Sequence, residues 1–141
     1  MAHLPDTHRV PVIRADFSDD ALWDQLREDI SKDTGTGFRA NVEFVEDPRL
    51  AGLDVPALVR AFPPAYPHAY NHPVVFVVDA VTVSLPDHPV LVIGLNRRDA
   101  AEPFRVVPDE LHSIETNLSI SNVDFRDFAR AAHCSDGVYR R

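Results

Sequence analysis

The chain has 141 residues, 45% of them hydrophobic and 26% charged, with a formal net charge of −8 at pH 7. That length suits one domain able to bury a core, and a single cysteine, Cys134, excludes an internal disulfide and a cysteine-based zinc site. The negative balance argues against sequence-independent nucleic-acid binding, which needs clustered Lys and Arg, and against anionic membrane surfaces.

The opening MAHLPDTHRVPVIRAD has no apolar signal core, and no stretch approaches the roughly 20 apolar residues of a membrane span. The expectation is a cytoplasmic protein, with residues 1–9 a lead-in and residues 10–141 one α/β domain. Residues 10–15 read as a first strand through Val10, Val12 and Ile13. Ser18 is a suitable N-cap for the helix that follows, with Asp19 and Asp20 in its first turn, where the helix dipole favours negative charge. Leu22, Leu26 and Ile30 recur every four residues, with Trp23 widening the stripe, so one face packs on a sheet. The helix stops near Lys32, before Thr34-Gly35-Thr36-Gly37. That segment follows a helix and lacks a lysine, so it is a helix stop and no phosphate loop.

Residues 41–45 form a second strand, ended by Glu46-Asp47-Pro48. Asp54 can cap a short helix with Pro56 at its second position and Val55, Leu58, Val59 and Phe62 on its apolar face. Residues 65–73, AYPHAYNHP, make a proline-bounded loop. The two runs VVFVV (residues 74–78) and VLVI (90–93) are short, β-branched and without polar alternation, the pattern of strands buried on both faces. The residues between them are too few for a full helical crossover, so the link is extended or a single turn, and the relative strand direction stays open. Residues 104–107 pair with the second run as a hairpin. Pro108 opens a helix bearing Leu111, Ile114 and Leu118, and Ser121 or Asn122 caps a last one bearing Phe125, Phe128, Ala129 and Ala132. Residues 137–139 close as an edge strand. The expected fold is an α/β sandwich with a mixed, mostly buried sheet of about five strands and about four helices.

Three groups carry candidate chemistry. Ten acidic and four basic residues lie between Arg14 and Asp47, a local balance of −6. On the first helix, Asp19, Asp20, Asp24 and Glu28 form either a solvated face or a docking surface for a basic partner. Tyr66, His68, Tyr70 and His72 are either recognition anchors or aromatics laid over the sheet edge. The spacing of His68 and His72 would suit zinc on a helix, but Pro67 and Pro73 argue against one there. If the strands were parallel, Asp16, Glu46 or Asp47, and Asp79 would end neighbouring strands on one edge, where carboxylates can hold Mg or Mn for phosphoryl transfer. Asp16 as a local cap and Asp79 as the start of a turn are the competing readings. His133 beside Cys134 makes no catalytic pair, because sequence neighbours point differently. Asn117, Ser119, Ser121 and Asn122 read as caps of the two flanking helices.

The stretches VIRADFSDDALWDQL, FRANVEFVEDP, YNHPVVFVVDAVTVSLPDHPVLVI and FRVVPDELHSIETNLSISNVDFRDFA resemble the blocks of a small actinobacterial family, domain of unknown function sixty-nine twenty-four. The resemblance runs from Val12 to about Val138, and Lys32 as the only lysine suits a GC-rich source. It implies no reaction, cofactor or catalytic residue. From the residues themselves, the first expectation is a binding module with no cofactor, possessing an antitoxin- or immunity-like surface for a basic protein. The alternative is a divalent-metal enzyme built on the strand-end carboxylates.

Overall fold

Runs of Val, Ile and Phe make the strands, because branched and aromatic side chains suit a pleated surface covered on both sides. The computed structural model describes residues 9–32, 40–60, 74–94, 103–119 and 125–140. In chain order these form β1 (Val10–Arg14), α1 (Asp20–Ser31), β2 (Val42–Val45), α2 (Val55–Arg60), β3 (Val74–Val78), α3 (Ala80–Ser84), β4 (Val90–Gly94), β5 (Phe104–Val106), α4 (Leu111–Ser119), α5 (Phe125–His133) and β6 (Val138–Tyr139). Turns of 3-10 helix at Pro48–Leu50 and Pro108–Glu110 complete them. The one sheet is mixed, in the order β2-β1-β3-β4-β5-β6. No helix among the described residues is long and apolar enough to cross a membrane.

β1 pairs parallel with both β2 and β3, β4 is antiparallel to β3 and β5, and β6 is parallel to β5. The open question of direction is thereby answered: residues 74–78 and 90–94 run in opposite senses, and only β4 points against the rest. The link between them is the single turn α3, the additional helix beyond the four anticipated. Every residue of β1, β3 and β4 is buried. One layer over the sheet holds Trp23, Leu26 and Ile30 of α1 with Leu111, Ile114, Phe125 and Phe128, against Val12, Phe76 and Val92. The other face packs Ile13, Val75, Val77 and Ile93 under Leu50 and Leu58.

Two local starts differ from the sequence expectation. Asp19, not Ser18, caps α1: its side chain accepts the Leu22 N–H at 3.0 Å. Ser18 is drawn away because both its N–H and its hydroxyl donate to Asp16 Oδ1. Asn117 is no cap either; it lies within α4 and its amide donates to the Ser113 carbonyl one turn back. Asp54 does cap α2, accepting from Ala57 N–H at 2.9 Å. The glycine segment 34–37 and the capping pair Ser121 and Asn122 lie outside the described residues.

Phe76 sits at the centre of this arrangement, fully buried and in register with both Val12 and Val92. Truncation to alanine removes a large ring from a site flanked by paired backbone on both sides, so collapse around the cavity is restricted. Phe76→Ala is expected to cost about 3–5 kcal/mol. Urea unfolding checks this: the midpoint should fall while the slope stays that of the parent.

Candidate functional site

β1 and β3 are neighbours, yet the chain leaves β1 through α1 on one face of the sheet and leaves β2 through Pro48–Leu50 and α2 on the other. Such a reversal opens a crevice at the carboxyl ends of the two strands, the usual ligand position in open α/β sheets. A cleft of about 520 Å³ lies there, lined by residues 15–18, 51–53 and 79–81. Gly52 shapes one wall. It adopts φ +73°, open to glycine at little cost, and donates its N–H to the Ala15 carbonyl at 2.9 Å.

The parallel strands do bring Asp16, Glu46 and Asp79 to one edge, but their side chains serve separate partners. Asp16 binds Ser18 as described. Glu46 lies toward α1, where it accepts from the Trp23 indole and stands 3.8 Å from Arg27. Asp47 turns onto Arg49, with its carboxylate meeting that guanidinium at 2.8 Å. Asp79 caps α3 in a capping box with Thr82 and takes a two-pronged pair from Arg105, at 2.9 and 2.8 Å. Asp16 and Asp79 thus line the cleft, whereas Glu46 and Asp47 do not. Among the described residues no three His, Cys, Asp or Glu side chains are grouped closely enough to hold a metal ion.

The acidic helix face is assembled as its periodicity implies. Asp19, Asp20, Asp24 and Glu28 are exposed, away from the buried Trp23, Leu26 and Ile30. Three of the four have local partners: Asp19 caps the helix, Asp20 reaches Arg14 at 2.6 Å and Asp24 stands 3.8 Å from Arg27. Tyr66, His68, Tyr70 and His72 lie outside the described residues. Cys134 is exposed, and His133 points its Nε2 to the Pro103 carbonyl at 3.1 Å.

Arg14 and Arg105 are the polar residues that sequence reading passed over. Arg14 is 4% exposed, with its guanidinium 4.6 Å from the Phe17 ring centroid and 5.4 Å from that of Trp23. Its signal was an arginine in register with Val10 and Val12 on the inward face, followed by an acid in the first turn of the next helix. Arg105 alternates with buried Phe104 and Val106, which gives its face but not its reach across β4. Glu115 is also buried and accepts the Asn41 N–H, tying α4 to the start of β2.

These features define a small α/β domain with a switch-point cleft and an acidic helix beside it. The chain belongs to the family described as "Domain of unknown function (DUF6924)", whose model matches residues 9–141. Comparison with curated proteins finds no match.

Burial pushes the Asp79 carboxyl upward, but the hydrogen bonds and charge of Arg105, with those of Thr82, outweigh it and hold the group below the usual carboxylate range. A carboxyl with a lowered folded pKa binds its proton more weakly than the unfolded chain does. Its contribution is therefore full above the unfolded value of about 3.9 and fades as pH falls through the lower folded value. Asp79→Asn should destabilise by about 1–3 kcal/mol at neutral pH. Chemical denaturation at successively lower pH should show that gap closing below about pH 4; parallel curves for parent and variant would contradict it.

Proposed function

We propose that this protein is a non-enzymatic binding module that docks a basic protein on the outer face of α1. The observation that supports this is the exposed stripe Asp20, Asp24 and Glu28. Their spacing of four residues sets successive carboxylates about 6 Å apart along one face. The side chains of Asp20 and Asp24 are 86% and 72% exposed, and Glu28 has no ion-pair partner among the described residues. Asp19 extends the stripe at one end. Glu46 adds a carboxylate beside it, since Arg27 lies 3.8 Å from both Asp24 and Glu46. A surface on which carboxylates outnumber the one arginine, Arg27, steers a positively charged partner and selects against acidic ones. Size and acidity suit an inhibitor- or immunity-like role, in which the face covers a basic site on another protein.

The test substitutes Asp24→Lys and Glu28→Lys together and leaves Asp19 and Asp20 in place, because those two cap the helix and neutralise Arg14. Capture from the host lysate is followed by reconstitution with the purified partner. A basic partner should bind the parent, weaken steeply with salt, and bind the double variant at least about tenfold less tightly. A partner that is neutral or acidic, or one that binds the variant equally well, removes the reading.

A further inference from the structure

The cleft between the ends of β1 and β3 adjoins the start of α1 but differs in chemistry from the docking stripe. Its volume is about 520 Å³ and it is open to solvent on one side. Its walls are largely apolar: Ala15 and Phe17 from the end of β1, Leu53 from the turn before α2, and Val81 from α3. Three connections that follow three parallel strands meet there, so the shape is set by the sheet order and not by one loop.

The charges around the cleft decide what it accepts. Exposed helix N-termini in this location would ordinarily invite phosphate or carboxylate. Here that capacity is already used: Asp19 occupies the start of α1, and Asp79 occupies the start of α3. An anion entering would meet Asp16 and Asp79, which line the cleft. The nearby cations are likewise engaged, Arg14 with Asp20 and Arg105 with Asp79. Asp16 differs. Both hydrogen bonds to its carboxylate, from the Ser18 N–H and hydroxyl, fall on Oδ1 and come from neutral donors, while its backbone carbonyl accepts from Arg14 Nε at 3.2 Å. Among the described residues, Oδ2 therefore has no hydrogen-bond donor and the carboxylate has no ion-pair partner.

We infer that this cleft is a binding site for a small organic monocation, an amine or amidine carried on a compact apolar body, with Asp16 as its counter-charge. The apolar part fills the space between Phe17, Leu53 and Val81, and the N–H groups donate to Oδ2 of Asp16. An amidine or ammonium group donates to Oδ2 alone, because Oδ1 already accepts twice from Ser18. Phosphorylated and carboxylated compounds are excluded by the same charges.

The experiment titrates the full chain by calorimetry and protein-observed NMR with benzamidine and cyclohexylamine, and with benzamide and benzoate as neutral and anionic counterparts. Saturable binding of at least one cation is expected, with resonance shifts centred on Phe17, Leu53 and Val81. Benzamide should bind at least about tenfold more weakly than benzamidine, and benzoate not at all. Asp16→Asn keeps an oxygen to accept from Ser18, so the turn is retained while the charge is lost; cation affinity should fall at least about tenfold. Ala51→Trp, at an exposed position on the cleft wall, should abolish binding with the circular dichroism spectrum unchanged. Asp24→Lys with Glu28→Lys should leave cation binding intact, which separates this site from the docking face. The inference is overturned if neither cation binds, if benzamide binds as well as benzamidine, or if the Asp16→Asn protein binds like the parent.

Discussion

The complete burial of β3 on both faces governs the structure. All five residues, Val74 to Val78, are at most 1% exposed. A strand with no solvent face must have cover on each side, and one connection cannot supply it. Placing β1 between β2 and β3 meets that demand, since the connection before β2 passes over one face and the one after it starts over the other. The cleft at the β1 and β3 ends follows from the same arrangement. It exists because neither connection crosses over that point.

The turn out of β3 must then reverse the chain within a few residues. Asp79 accomplishes this by bonding the Thr82 N–H while Thr82 bonds the Asp79 N–H in return. The Thr82 hydroxyl also lies 2.8 Å from the Pro89 carbonyl, so the start of β4 is held by the residue that stabilises α3. Arg105 reaches the same two points from β5. Three strands are thus fastened at one corner by a set of mutually satisfied polar groups. This half-buried carboxylate and guanidinium are tolerated because they meet at two points and the guanidinium also donates to the Pro89 carbonyl.

How much of this the sequence disclosed depends on the range of the interaction. The strands at residues 74–78 and 90–94 were legible because apolar β-branched runs report burial directly. The stripe of Trp23, Leu26 and Ile30 was legible for the same reason, at a different period. The edge grouping of Asp16, Glu46 and Asp79 was legible only conditionally, because strand direction is a long-range property that no local pattern encodes. What each carboxylate does once there was not legible. Asp79 meets Arg105, 26 positions later, and Glu46 meets Trp23 across 23 positions. Ser18 illustrates the local limit: its composition suits a cap, yet an aspartate two residues earlier claims it and the helix begins one residue later.

A fold of this class does not carry a function with it, because the same sheet order supports unrelated activities. What distinguishes this chain is how its charges are distributed around the carboxyl edge. Buried or half-buried cations, Arg14 and Arg105, are each paired with a carboxylate that also lies at a helix start. That pairing leaves the edge with little free positive charge, while Asp16 and the outer face of α1 remain negative. The proposed docking face and the proposed cation site thus share one cause: the two arginines at this edge, Arg14 and Arg105, are turned inward onto carboxylates, while Asp16 and the outer face of α1 stay negative.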